Sequence, residues 1–233
     1  MKIAVIIPAF NEQASIAQVV ESVHVASTAN VQLTPVVVND CSTDKTKEII
    51  AKINCVALNL PVNLGIGGAV QTGIKYAFDN DFDYCVQIDG DGQHPPEFIL
   101  KLQAEAEKNN WDVAIGSRFI NNEGFQSSVF RRGGITYFQY LLQFIIGKKI
   151  TDATSGMRLM NRKTMHLLYA YYPDEYPEPE ALILYARNSL QFGEVPVVML
   201  ERQGGESSIK GAFGAAYYMF KVTIAIIFTY LRK

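Results

Sequence analysis

Val86-Gln87-Ile88-Asp89-Gly90-Asp91-Gly92-Gln93-His94-Pro95-Pro96 is the stretch on which the reading of this chain turns. An apolar run over residues 84–88 delivers two carboxylates and a carboxamide onto a glycine-loosened loop. Carboxylates one residue apart at a strand end can grip a hard divalent cation, because Mg²⁺ and Mn²⁺ prefer oxygen ligands and keep positions open for substrate phosphates. The same letters also spell an Asp-Gly turn, and turn chemistry explains Gly90 and Gly92 equally well. The surrounding pattern decides between the two.

Upstream, residues 3–7 form an unbroken apolar run, as a strand buried on both faces does. Residues 14–26 carry Ile16, Val19, Val20 and Val23 at helical spacing. Residues 35–38 read as a second strand ended by Asn39-Asp40, and Ser42-Thr43-Asp44 offers N-caps for a helix through Ile49 and Ile50. A third strand is predicted over 56–60. Leu64-Gly65-Ile66-Gly67-Gly68 then opens a helix with Ala69, Ile74 and Ala77 on one face. The strand at 83–88 is followed by a helix over 96–108 and a strand over 111–115. Such alternation builds an α/β, Rossmann-like, doubly wound mixed sheet with most strands parallel, which binds ligands beyond the carboxyl ends of its strands. Pro8 to Glu12, Asp40, Asp89-Gly90-Asp91 and Gly116-Ser117-Arg118 all fall at such ends.

Beyond residue 119 the pattern changes. A loop rich in Gly, Ser and Arg (121–134) precedes an aromatic helix (135–146), the run Thr154-Ser155-Gly156-Met157-Arg158 and a helix near 162–171. A Pro-rich acidic stretch, a helix to about residue 191 and a strand over 194–199 follow. Residues 1–210 read as one domain, with 211–233 as an apolar C-terminal segment. That segment holds Lys221 among aromatics and ends in Arg232-Lys233, so it suits a helix in a membrane interface, an oligomer contact or a core helix. No run of 18 apolar residues secures a membrane span. The N-terminus has no signal-peptide pattern, and Cys41, Cys55 and Cys85 lack metal or disulfide spacing, as in a cytosolic protein with reduced thiols. A net charge of −2 gives no reason to expect a nucleic-acid partner.

With Val5-Ile6-Ile7-Pro8-Ala9-Phe10-Asn11-Glu12, Val38-Asn39-Asp40-Cys41-Ser42-Thr43-Asp44 and the Asp89 to Pro96 motif, the chain resembles the family 2 glycosyltransferases of GT-A fold. Within them it is similar to the polyprenyl-phosphate branch, the dolichol-phosphate mannose synthases and their bacterial relatives. Asp40, at a strand end, is placed to accept hydrogen bonds from a base or ribose, or else stands beside a helix N-cap. The resemblance implies Pro8, Phe10, Glu12, Asp40, Asp89 and Gly90 at the nucleotide. It also implies Asp89, Asp91 and Gln93 at a Mg²⁺ or Mn²⁺ ion bridging the diphosphate.

Arginine suits bidentate capture of phosphate, and Arg118, Arg131, Arg132, Arg158 and Arg202 are predicted on loops of the same rim. In the lipid-phosphate branch, arginines matching Arg118, Arg131 and Arg202 contact the donor diphosphate or the acceptor phosphate. Arg202-Gln203-Gly204-Gly205-Glu206-Ser207-Ser208 fits that branch's pattern except that Ser208 replaces a lysine, for which Lys210 can substitute. The Gln-x-x-Arg-Trp motif of processive synthases is missing, since the single tryptophan is Trp111.

The expected activity is therefore inverting transfer of one hexose-type sugar from a nucleotide-diphosphate sugar, a UDP-sugar by preference, to a polyprenyl phosphate. The catalytic group is Asp89, Asp91, Arg118 and Arg202. The setting is the cytoplasmic face of the cell membrane, with a homo-oligomer or small membrane protein as partner and cell-envelope glycan as destination. Two alternatives stay open: a sugar-hydroxyl acceptor, for which Glu178 or Glu180 would be the base, and a non-catalytic nucleotide-sugar-binding subunit. His94 reads as a loop residue against Pro95-Pro96.

Overall fold

The computed structural model describes residues 1–121, 129–174, 176–200 and 211–231. Strand β1 (Lys2–Ala9) is the centre of the molecule, and everything from Ile3 to Ala9 is buried. Its side chains alternate between two layers: Ile3, Val5 and Ile7 face one core, Ala4 and Ile6 the other. A strand apolar on both faces can be buried only with neighbours on both edges. Those are β2 (Gln32–Asn39) and β4 (Tyr84–Gln87), both parallel to it. Outside β2 lies β3 (Val56–Asn59), also parallel.

On the other side come β5 (Val113–Ser117), β6 (Arg158–Asn161) and β7 (Phe192–Pro196), completing a seven-stranded sheet in the order β3-β2-β1-β4-β6-β5-β7. β6 is antiparallel to both β4 and β5, while β7 runs parallel to β5. The sequence reading found no strand at β6, which is only four residues long. This reversed strand makes the sheet mixed.

Helices cover both faces. One core is lined by α1 (Ile16–Val25), through Ile16, Val19, Val20 and Val23, and by α4 (Glu97–Asn109), through Ile99, Leu102 and Ala106. The short α2 (Thr46–Ile50) adds Ile50 to it. The other core takes α3 (Gly65–Asp79), α5 (Val129–Ile146), α6 (Arg162–Ala170), α7 (Pro177–Arg187) and α8 (Gly211–Leu231). Gly73 lets α3 close onto β1, because a Cβ there would lie 2.4 Å from Ile6 Cγ2.

α8 is two-sided. Val222 and Ile226 enter the core, and Thr229 Oγ1 donates to Glu180 Oε2 of α7 at 2.7 Å. Tyr217, Phe220, Ile224, Ile227, Phe228 and Leu231 stay exposed. α5 adds Tyr140 and Phe144, the latter 90% exposed, and Tyr137 Oη lies 3.1 Å from Thr223 Oγ1 of α8. Among the described residues no helix is long and apolar enough to cross a membrane. The cysteines are free thiols, and burial pushes the pKa of Cys85 upward.

Trp111, expected within a strand, sits just before β5 with its ring over Gly193 of β7: a Cβ there would meet Trp111 Cζ2 at 2.2 Å. Gly193→Ala should therefore cost about 1–3 kcal/mol by overpacking. It should lower the urea midpoint and shift the emission of this single tryptophan. An unchanged midpoint and spectrum would show that the ring is not held there.

Candidate functional site

Strands β1, β2, β4 and β5 run the same way, so their carboxyl ends share one rim. After β1 the chain turns at Asn11, whose backbone is left-handed at φ 59°. Asn11 Oδ1 accepts from the backbone N–H groups of Thr43 (2.8 Å) and Asp44 (3.3 Å), and Glu12 N–H donates to Thr46 Oγ1 at 2.9 Å. The loops after β1 and β2 are thus one hydrogen-bonded unit. Burial alone would raise the pKa of Asp44, but bonds from the Thr46 hydroxyl and from backbone N–H groups outweigh it and hold the carboxyl below its usual value. The expected N-cap helix begins only at Thr46, with Asp44 Oδ1 accepting from Thr46 N–H at 2.9 Å. Pro8 lies at the end of β1, Phe10 is exposed on the loop, and Glu12 Oε2 accepts from Ser15 Oγ at 3.0 Å.

Asp40 is buried, and its carboxylate accepts from the N–H groups of Leu64 (2.7 Å) and Gly65 (2.9 Å). It therefore caps the start of α3 from across the rim, satisfying orphan donors of that helix. The glycines of this segment serve close packing. A Cβ on Gly67 would sit 2.3 Å from the Pro173 carbonyl.

Beyond β4, Asp89-Gly90 crosses the end of β1. A Cβ on Gly90 would lie 3.0 Å from the Pro8 carbonyl oxygen and 3.3 Å from Glu12 Cγ. Asp89 is partly exposed, whereas Asp91 is buried and its Oδ1 accepts from Gln93 N–H at 3.0 Å. Gln93 Nε2 donates to the Leu200 carbonyl at 3.3 Å. His94 is buried; its Nδ1 accepts from Asp89 N–H at 3.1 Å and lies 3.4 Å from Asp89 Oδ2. It is an orienter of Asp89, a role the sequence reading did not give it.

Among the described residues no group of three or more His, Cys, Asp or Glu is placed to hold a metal. Two carboxylates and an amide oxygen fit a hard cation that completes its shell with substrate phosphates.

Arg118 follows β5 and is clamped. Its Nε and Nη2 donate to Asp152 Oδ2 (2.6 Å) and Oδ1 (2.7 Å), and Nη2 also reaches Thr154 Oγ1 at 3.0 Å. Asp152, fully buried, also accepts from Arg118 N–H at 3.1 Å. Burial would lower the Arg118 pKa, but Asp152 overrides it and raises it. Asp152 was absent from the sequence reading. Its only signal was the polar run 151–156, which belongs to the rim because β6 is reversed and begins there.

The other expected arginines fall elsewhere. Arg158, expected on a loop, is the first residue of β6, 1% exposed, donating through Nε to the Ser155 carbonyl (2.9 Å) and through Nη2 to the Ala153 carbonyl (3.0 Å). It holds the 153–155 turn from below. Its Nη1, together with Gln87 Oε1 and Ser155 Oγ, has no partner among the described residues. Arg131 and Arg132, also expected on a loop, lie in helix α5. Arg202, Ser207 and Lys210 fall outside the described residues. The acidic pair separates: Glu180 bonds Thr229 of α8, while Glu178, at the start of α7, shares the electrostatic environment of Arg158, Asp89 and Arg118.

The model of the family described as Glycosyl transferase family 2 matches residues 4–168. The UDP-N-acetylglucosamine–dolichyl-phosphate N-acetylglucosaminyltransferase of Methanococcus voltae is 29% identical over 84% of this chain and 84% of its own length. The dolichol-phosphate mannosyltransferase of Pyrococcus furiosus is 31% identical over 91% of this chain and 60% of its own. Among solved structures, glucosyl-3-phosphoglycerate synthase from Mycobacterium tuberculosis, in complex with Mn²⁺, UDP-glucose and phosphoglyceric acid, superposes with a TM-score of 0.75. It covers 98% of this chain and 79% of its own at 18% identity. The doubly wound mixed α/β sheet with a C-terminal apolar helix, expected from the sequence, is thus the observed GT-A fold.

Burial raises the pKa of Glu178, Arg158 opposes that, Asp89 adds to it, and the outcome lies above the usual carboxyl value. A carboxyl with a raised folded pKa contributes its stability below the unfolded value, about 4.3, and loses it as pH rises through the folded one. In metal-free protein, the Tm difference between Glu178→Gln and the parent should therefore become more favourable to the variant between pH ~4 and pH ~8. A difference constant across that range in thermal melts would contradict the assignment.

Proposed function

The chain belongs to glycosyl transferase family 2 and is a glycosyltransferase, and we propose that it transfers one hexose-type sugar, with inversion, from a nucleotide-diphosphate sugar to a polyprenyl phosphate at the cytoplasmic face of a membrane. The observation that carries this reading is the meeting, on one rim, of the Asp89 and Asp91 carboxylates with an arginine held rigid by a buried carboxylate. The names of the relatives at 29% and 31% identity, both dolichyl-phosphate transferases, support the acceptor class. A UDP-sugar is the favoured donor.

Pro8, Phe10, Glu12, Asp40 and Gly90 would line the nucleotide. Asp89, Asp91 and Gln93 would hold Mg²⁺ or Mn²⁺. That cation would supply electrostatic stabilisation of the departing diphosphate. Arg118 presents a fixed positive charge to the same phosphates and needs no reorientation. On the acceptor side, Arg131, Arg132, Arg202, Ser207 and Lys210 would meet the lipid phosphate, while Arg158 holds the 153–155 turn. A phosphate monoester is ionised near neutral pH, its second pKa being about 6, so it needs orientation and no general base. The exposed aromatic face of α5 and α8 suits the membrane surface that such an acceptor occupies, directly or through a second copy or a small membrane protein.

The location of Glu178 at the rim favours one second reading, a hydroxyl acceptor with Glu178 as its base. Radiolabel transfer to undecaprenyl phosphate in vesicles separates the two, scanning UDP-glucose, UDP-N-acetylglucosamine and GDP-mannose with Mg²⁺ or Mn²⁺. Label should move into an acid-labile, organic-soluble lipid, disappear in Asp91→Ala and stay within a few-fold of parent in Glu178→Gln. Donor binding with no lipid label, or abolition by Glu178→Gln, would overturn the phosphate-acceptor reading.

A further inference from the structure

The Arg118 clamp depends on a residue 76 positions further along the chain. Asp152 can grip the guanidinium only if the 151–152 backbone is held, and that backbone is gripped by Glu194 of β7. Glu194 Oε2 accepts from Thr151 N–H at 2.7 Å, and Oε1 accepts from Asp152 N–H at 2.7 Å and from Thr151 Oγ1 at 2.9 Å. Because the Thr151 hydroxyl spends its proton on Glu194, Ser117 Oγ, 2.7 Å away, donates to it. Ser117 is the residue before Arg118, so the chain of bonds closes on itself. From the opposite side, Gln139 of α5 donates to the Thr151 carbonyl.

We propose that Glu194 is a positioning residue for the transfer reaction: it holds the 151–152 turn so that Asp152 presents both oxygens to Arg118. The chemistry requires a carboxylate. Glu194 accepts from three donors and donates to none. A carboxamide of the same shape would turn its own N–H groups toward at least one of those donors, and a donor facing a donor forfeits the bond and repels. The turn would then shift, and a displacement on the order of 1 Å at a reacting phosphate costs on the order of a hundredfold in rate.

The kinetic consequence rests on the sugar-transfer reading, whereas the structural one does not, and two measurements keep them apart. The first is ¹⁵N NMR of the arginine Nε–H groups in the full chain. The Arg118 signal is identified by its loss in Arg118→Ala, and the buried Arg158 Nε–H, bonded to the Ser155 carbonyl, serves as internal control. In Glu194→Gln the Arg118 signal should shift and exchange faster while that of Arg158 stays in place. An unchanged Arg118 signal, or loss of both together, would overturn the proposal, because Glu194 would then serve nothing or only the fold at large.

The second measurement is a double-mutant cycle in kcat/KM. Glu194→Gln should lose about ten- to a hundredfold in the parent background and about nothing further in Arg118→Ala, since residues acting in series are not additive. Additive losses would overturn the proposal. If the parent transfers no sugar to any acceptor tried, the functional reading fails and the NMR result still decides the role of Glu194.

Discussion

The rest of the molecule is built around the fact that β1 has no free edge and no free face. Its apolar side chains alternate into two cores, and β2 and β4 take its backbone donors and acceptors on either side. No polar group can lie along such a strand without a burial cost of several kcal/mol. The polar residues therefore gather where the strands stop. The rim follows from that exclusion: Asn11 ties the first two loops together, Asp40 caps α3, and Asp89-Gly90 passes over the Pro8 carbonyl. The crossing leaves little space for a Cβ at Gly90, a steric reason for a small residue that is independent of turn propensity.

The Arg118–Asp152 pair is poor evidence for stability, since removing two charges from water offsets much of their attraction. Its effect is geometric. A bidentate pair fixes the plane of the guanidinium, and Thr154 adds a third contact. An arginine ordered before substrate arrives loses little side-chain entropy when it meets a phosphate. Glu178 shows the opposite arrangement, a carboxyl placed where burial disfavours its charge, with Arg158 only partly compensating.

The β1–β2–β4 side of the rim, proposed for the donor, was legible because it is local and repetitive. Continuous apolar runs of parallel strands, each followed by a helix, place Pro8, Asp40 and Asp89 at strand ends without any structure in hand. The β5–β6 side, proposed for the acceptor, was not, and the reason is β6. A four-residue strand with Arg158 as its first letter does not look like a strand, and a reversed strand brings its preceding residues to the rim. A rule that looks beyond the carboxyl ends of strands passes over Asp152 for that reason. Glu194 was equally silent, since an acidic residue in an edge strand carries no pattern. For α8 the sequence left three readings open, and the structure puts Val222, Ile226 and Thr229 against protein while Tyr217, Phe220 and Phe228 stay exposed.

The span between the clamped arginine and the residue that holds its turn has a consequence for how the rim comes into being on the ribosome. Chains emerge N-terminus first and fold in that order where contacts allow. Once α4 has emerged, Asp40 already has the Leu64 and Gly65 N–H groups and Asp89 has His94. Arg118 emerges later, ahead of both Asp152 and Glu194, and the bonds that hold its clamp are complete only when β7 is added beside β5. The acidic half of the rim is thus old and the basic half young in the life of each molecule. A chain released before residue 194 would carry the Asp89–Asp91 pair with an unclamped arginine beside it.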